Sequence, residues 1–252
     1  MVSTSKTPLN ETIDPNENLT SDGSKTYTWD AENRLVSVSE GGMALASFQY
    51  NAFGIRTRMN ASNSTTDYFV NGGVVFEERS STKGTTRYYG GLGIDNLLAS
   101  QSPAGVRYYT HDHLRSVREA TDTVGNVVSR RGYDPWGYSS GSDGFALAGR
   151  ESDSATGLSY FRARYYNSDM ERFLSEDALG RAQGEVNYYA YVLNNPLRYT
   201  DPSGFGGPVR WLATSSVARS GRPSVLRLAV PSRPAASSCS FRPAQARQLG
   251  FP

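Results

Sequence analysis

"KTYTWDAENRLVSVS", residues 25–39, sets the pattern for most of this 252-residue chain. An alternation of aromatic and small residues, Tyr27-Thr28-Trp29, runs into a polar cluster, Asp30 to Asn33, and a second alternation, Leu35-Val36-Ser37-Val38, follows. A period of two puts successive side chains on opposite faces of a pleated strand. The Asp/Asn cluster supplies the turn, because these side chains bond their own backbone and tolerate positive φ. The stretch predicts a β-hairpin.

The same pattern recurs outward from it. "ASFQYNAFGIRTRM" (46–59), "TDYFVNGGVVFEER" (66–79), "TRYYGGLGIDNLLAS" (86–100) and "VRYYTHDHLRSVREATD" (106–122) read alike, and "RRGYDPWGYSSG" (130–141) is a shorter copy. Tyr27, Tyr50, Tyr68, Tyr88, Tyr108 and Tyr133 mark the units at steps of 23, 18, 20, 20 and 25 residues. Aromatic side chains suit a half-buried pleated surface. No stretch sustains an amphipathic helical period for three turns. A lone hairpin cannot bury its apolar face, so a hairpin every twenty residues or so implies stacking. The expected class is all-β, with hairpin repeats over 25–138 after a polar segment, 1–24.

Charge divides the chain at a different place. Residues 206–252 carry seven arginines and no acid, which leaves 19 basic and 24 acidic residues in the first 205. The calculated pI of about 8.6 therefore argues nothing for nucleic-acid binding by the body. In the tail, 28 of 47 residues are Arg, Ser, Pro or Ala. Such a composition predicts disorder, although basic segments also suit nucleic acid or anionic membranes. One cysteine, Cys239, excludes an internal disulfide framework. No run of 18 apolar residues exists to span a bilayer, and the polar N-terminus has no apolar signal core. It reads as a loop that begins partway through something larger, cytoplasmic in the producing cell as it stands.

The units resemble the tyrosine–aspartate (YD) repeats of Rhs and teneurin-like proteins, Tyr27-Thr28-Trp29-Asp30-Ala31-Glu32-Asn33-Arg34-Leu35 most plainly. The stretch from Gly157 to Phe205, "GLSYFRARYYNSDMERFLSEDALGRAQGEVNYYAYVLNNPLRYTDPSGF", is similar to the Rhs repeat-associated core, assigned here to 139–205. The resemblance covers nearly all of residues 19–205 and stops at the tail. It implies part of a β-sheet spiral that closes into a shell, encloses a C-terminal toxin and releases it by self-cleavage after the final D-P-x-G-L. Complete shells are several times longer, so the chain reads as a C-terminal part. Its implied partners are upstream Rhs repeats and a toxin or secretion machinery, and the implied complete protein is secreted or on the cell surface. No cofactor is implied, and no enzymatic activity beyond self-cleavage.

Asp177 and Asp201 stand 24 residues apart in matching motifs, "EDALG" and "TDPSG". Two neighbouring carboxyls do not both ionise easily, so one can keep its proton as the acid while the other activates water. The family's proposed self-cleavage uses the matching aspartates with an arginine that falls on Arg164, and cuts after the residue that is here Phe205, before Gly206. The alternative for Asp-Pro-x-Gly is a plain type I turn, with Asp, Pro and Gly each at a favoured position. Departures from the family pattern are Asn167-Ser168 for Asp-Pro, Glu171 for Gly, Ala178 for Pro and Phe205 for Leu. Tyr189, Tyr191, Asn194, Asn195 and Pro196 match an N-x-Y-x-Y-x-x-N-N-P element and read as scaffold. His111 and His113 are spaced to share one strand face, but no cysteine or third histidine in the body completes a zinc set. Competing functions are a carbohydrate-binding or cell-surface β-repeat module and a non-functional remnant.

Overall fold

The computed structural model describes residues 10–139, 144–180 and 186–206. Thirteen strands follow one another in a single antiparallel sheet in chain order. The first six are β1 (Thr12–Ile13), β2 (Leu19–Ser21), β3 (Lys25–Trp29), β4 (Leu35–Glu40), β5 (Met43–Tyr50) and β6 (Arg56–Ala61). They continue as β7 (Ser64–Asn71), β8 (Val74–Ser80), β9 (Gly84–Gly90), β10 (Leu97–Ser102), β11 (Gly105–His111), β12 (Val117–Thr121) and β13 (Val127–Arg130). A second antiparallel sheet holds β14 (Gly144–Phe145), β15 (Glu151–Asp153), β16 (Leu158–Phe161), β17 (Arg164–Asn167) and β18 (Arg172–Phe173). The chain is all-β, as its alternation predicts. Strands β1 and β2 lie inside the polar 1–24 segment. Of residues 206–252 only Gly206 is described, so the expected disorder of the tail lies outside the described residues. Among the described residues no helix is long and apolar enough to cross a membrane.

The repeat's aspartate has a definite mechanical role. At Asp14, Asp30, Asn51, Asp112, Asp122 and Asp134, side-chain Oδ1 accepts the backbone N–H groups two and four residues on, at 2.8 to 3.1 Å. The residue three on has positive φ in every case: Glu17, Asn33, Gly54, Arg115, Gly125 and Gly137. Its N–H returns to the carbonyl of the Asp or Asn. The side chain thus saturates donors that a five-residue turn would otherwise leave to water. Two-residue turns such as Gly72-Gly73, both at positive φ, close hairpins in the manner matched to strand twist. In an antiparallel ladder alternate turns share a margin. The turns at 14–18, 30–34, 51–55, 72–73, 91–96 and 112–116 therefore line one margin of the long sheet.

Two apolar clusters lie on opposite faces of the short sheet. Tyr160 and Tyr165 pack with Leu19, Tyr27, Leu35, Val38, Ala46 and Phe48 of the long sheet. Their neighbours Phe161 and Tyr166 point the other way, to Phe173, Tyr191 and Val192. The residues of β17 are buried on both faces for this reason. Both flanks of the short sheet hydrogen-bond to the long one: Leu19 N–H donates to Leu174 O at 2.9 Å, and Val117 N–H to Ala146 O at 3.0 Å.

Two details differ from the sequence reading. In the fifth unit the inward tyrosine is Tyr109, hydrogen-bonded to Ser100 Oγ at 2.8 Å, while Tyr108 is 49% exposed. The turn residue Asp112 sits three after Tyr109, as Asp30 sits three after Tyr27, and that spacing fixes the phase. His111 and His113 do not share a strand face, because β11 ends at His111 and the Asp112 turn begins there. His113 Nε2 lies 3.0 Å from Leu197 O. His111 Nε2 is buried with no hydrogen-bond partner among the described residues, and burial first, then the charge of Arg115, pushes its pKa down.

Candidate functional site

Arg164 opens β17, and β17 fixes what surrounds it. Leu174 N–H donates to Tyr165 O at 3.0 Å, so the chain beyond β18 runs back alongside β17 and delivers Asp177 to Arg164. Asp177 N–H donates to Tyr188 O at 3.0 Å, which anchors the start of its turn. That turn repeats the first part of the hairpin device. Leu179 N–H donates to Asp177 Oδ1 at 2.8 Å and Gly180 N–H to Asp177 O at 3.1 Å. In the hairpin copies the second carboxylate oxygen bonds within its own turn, as Asp30 Oδ2 does to Arg34 Nε at 2.7 Å. In Asp177 that oxygen turns to Arg164 Nη2, at 3.2 Å.

Asp201 divides its oxygens in the same way. Oδ1 accepts Gly204 N–H at 2.9 Å and the Ser203 hydroxyl at 3.0 Å, which are turn bonds. Oδ2 accepts Gly206 N–H at 2.8 Å and lies 3.4 Å from Arg164 Nη2. The turn reading and the catalytic reading of Asp-Pro-Ser-Gly are therefore compatible: each carboxylate spends one oxygen on its turn and directs the other to a shared guanidinium. Both carboxylates have side chains with no exposed surface, and Arg164 is 4% exposed.

Arg164 uses its other nitrogens on backbone. Nε donates to Gly204 O at 2.5 Å and Nη1 to Tyr188 O at 3.0 Å, while Cζ lies 3.7 Å from the centre of the Phe173 ring. One side chain thus ties together the two aspartate loops and the residue before Phe205. Gly204, at φ +74°, lets the loop approach: a Cβ there would stand 2.1 Å from Phe161 O. Phe205 is 41% exposed and borders a cleft of about 720 Å³, whose wall includes Ala178 and the 30–34, 51–55 and 72–73 turns. Gly206 is buried.

The five residues singled out in sequence, Arg164, Asp177, Asp201, Phe205 and Gly206, come together here. Of the element read as scaffold, Tyr191 is buried in the second apolar cluster, and Tyr189 donates its hydroxyl to Glu17 O at 2.8 Å. Burial first, then the charge of Asp201, pushes the Tyr191 hydroxyl pKa up. Ser203 was not anticipated. Its hydroxyl donates to Asp201 and accepts Phe205 N–H at 3.1 Å, and the Asp-x-Ser spacing is the signal that would have shown it. Among the described residues no group of three or more His, Cys, Asp or Glu is arranged to hold a metal ion.

No family model matches the chain. Similar curated proteins are nonetheless much longer. The tRNA nuclease WapA of Bacillus subtilis is 34% identical over 209 residues, covering 76% of this chain and 9% of that protein. The probable deoxyribonuclease RhsB of Dickeya dadantii is 29% identical over 200 residues, covering 72% of this chain and 14% of that one. Among solved structures, a Photorhabdus luminescens Tc holotoxin pore matches with a TM-score of 0.59 at 20% identity, over 83% of this chain and 11% of that one. That last likeness is one of fold.

Proposed function

Because the chain belongs to the Rhs family, we propose that it forms part of a toxin-enclosing β-sheet shell and cuts its own backbone between Phe205 and Gly206. The observation that carries this reading is the placing of Asp201 Oδ2 at 2.8 Å from the Gly206 nitrogen, with Asp177 Oδ2 on the same guanidinium nitrogen. Two carboxyls and one guanidinium make a neutral buried site when a single proton is shared between the carboxyls.

The reaction divides between them by position. The Asp177 carboxylate takes a proton from water as the water oxygen bonds to the Phe205 carbonyl carbon. The Gly206 nitrogen becomes pyramidal, its lone pair turns towards Asp201, and Asp201 delivers the proton as the C–N bond breaks. The products are a carboxyl terminus at Phe205 and an amino terminus at Gly206. Arg164 keeps the Gly204 carbonyl in place, so the reacting carbon is held by the residue before it. General acid–base assistance of this kind is worth on the order of 10²- to 10⁴-fold, and positioning adds to it.

Intact-mass measurement of the purified full-length chain tests the proposal. The expected species are residues 1–205 and 206–252, replaced by the uncut chain in Asp177→Asn. A wild-type chain that stays whole, or a cut at another bond, ends the reading.

A further inference from the structure

We propose that Arg162 is a positioning residue, which with Asp95 clamps the 201–206 loop to the long sheet and so presents the Phe205–Gly206 bond to Asp177 and Asp201. The inference rests on the self-cleavage reading above. Residues 162, 163 and 164 engage the carbonyls of 202, 203 and 204 in register. Arg162 Nη1 donates to Pro202 O, Ala163 N–H to Ser203 O at 3.3 Å, and Arg164 Nε to Gly204 O at 2.5 Å. Two arginines thus hold the loop, but only Arg164 touches the carboxylates.

Arg162 transmits the position of the long sheet instead. Its Nε donates to Gly73 O at 2.8 Å, in the turn between β7 and β8. Its Nη2 and Nη1 straddle Asp95, at 2.6 Å to Oδ1 and 3.2 Å to Oδ2, in the connection between β9 and β10. Asp95 Oδ1 also accepts Arg150 Nη1 at 2.6 Å, and Arg150 Nη2 donates to Glu151 at 2.7 Å. Two cations and two anions form a closed set in which every charge has a partner, the condition under which buried ions are tolerated. Asp95 is located by backbone as well: a Cβ at Gly149, which is at φ +67°, would stand 2.7 Å from Asp95 O. Arg162 itself is held at φ +62°, a conformation a non-glycine residue keeps only where its surroundings over-determine it. These bonds join the loop to two connections on the margin of the long sheet. Hydrolysis depends on such fixing, since a displacement of about 1 Å far from the chemistry can cost on the order of 100-fold.

Hydrogen exchange tests the clamp without requiring the bond to be cut. It is measured on the full-length chain carrying Asp177→Asn, with and without Arg162→Ala. The Gly204 and Gly206 amides, which donate to Asp201, are compared with the Val38 and Ala46 amides of β4 and β5 in the same molecule. Arg162→Ala is expected to raise exchange at Gly204 and Gly206 relative to Val38 and Ala46 at least tenfold. Arg162→Lys, which keeps the charge but cannot straddle Asp95, is expected to give a smaller rise. An unchanged ratio, whether both sets of amides speed up or neither does, overturns the clamp. In the chain with Asp177 restored, Arg162→Ala is expected to slow cutting about tenfold without moving its pH profile. A displaced profile would assign Arg162 to the chemistry and overturn the positioning role.

Discussion

Replacing either aspartate of the pair by asparagine stops proton transfer, yet the two changes differ in what they do to the fold. Asp201→Asn keeps an oxygen for Gly204 N–H and the Ser203 hydroxyl, but its amide nitrogen then faces Gly206 N–H and Arg164 Nη2, donor against donor. A hydrogen bond to a charged acceptor contributes about 1.5–3 kcal/mol, and a buried donor left without a partner costs about 1–3 kcal/mol. Asp177→Asn keeps the Leu179 N–H bond and gives up one contact to Arg164, at 3.2 Å. Arg164 retains the other carboxylate in each variant. The expected losses are about 3 kcal/mol for Asp201→Asn and about 1–2 kcal/mol for Asp177→Asn, by the same bond accounting. Urea denaturation monitored by intrinsic fluorescence reads the difference, and intact mass reads the cut. Both variants should slow cutting by about 10²- to 10⁴-fold. If Asp177→Asn proves as destabilising as Asp201→Asn, the division of oxygens between turn and guanidinium is wrong. If Asp201→Asn cuts at the wild-type rate, Asp201 is not the acid.

Glu171 occupies a position where the family pattern has glycine, at φ +62°. A left-handed non-glycine residue costs roughly 1–2 kcal/mol, partly offset by the entropy glycine loses on folding. Glu171→Gly should therefore raise urea stability by about 0.5–1 kcal/mol, and a loss of stability would contradict the strain argument. Gly204→Ala should weaken the fold by about 2–4 kcal/mol and abolish cutting, since nothing short of withdrawing the loop relieves a 2.1 Å approach to Phe161 O. A chain that still cuts would show the loop docks elsewhere. Acid should act on the turns. At Asp22 and Asp30 burial opposes ionisation, but hydrogen bonds led by the Lys25 and Arg34 backbone N–H groups outweigh it, and at Asp122 the bond from Asn126 leads. All three pKa values are depressed on folding, so their stabilisation is complete above about pH 4, the unfolded value, and fades as pH falls through the folded values. Thermal unfolding followed from pH 7 to pH 2 should show a falling midpoint below about pH 4. A midpoint that rises on acidification would reverse the sign.

The hairpins were legible because two signals coincide in them, period-two alternation and an Asp or Asn at the strand end. Where adjacent tyrosines left the phase open, at Tyr108 and Tyr109, the distance to Asp112 carried the answer. The histidine spacing misled for the same reason: it assumes a strand that continues, and the Asp112 turn stops it. Arg164, Asp177 and Asp201 were found by resemblance, since nothing periodic links residues so placed. Arg162 and Asp95 were beyond reach. They lie 67 residues apart on different sheets, and their contact depends on how the short sheet packs over the margin of the long one. No local pattern encodes that distance.

The aspartate turn has a consequence for how such a site originates. A carboxylate needs one oxygen to hold a five-residue turn, so each duplicated hairpin arrives with a second acceptor already fixed in space by backbone bonds. Asp177 carries the opening bonds of that turn and differs in what its spare oxygen meets. An ancestor would not have had to invent a rigidly held acid. It had only to bring an arginine beside one of several it already possessed, and the scaffold would keep its shape while chemistry was tried at one copy.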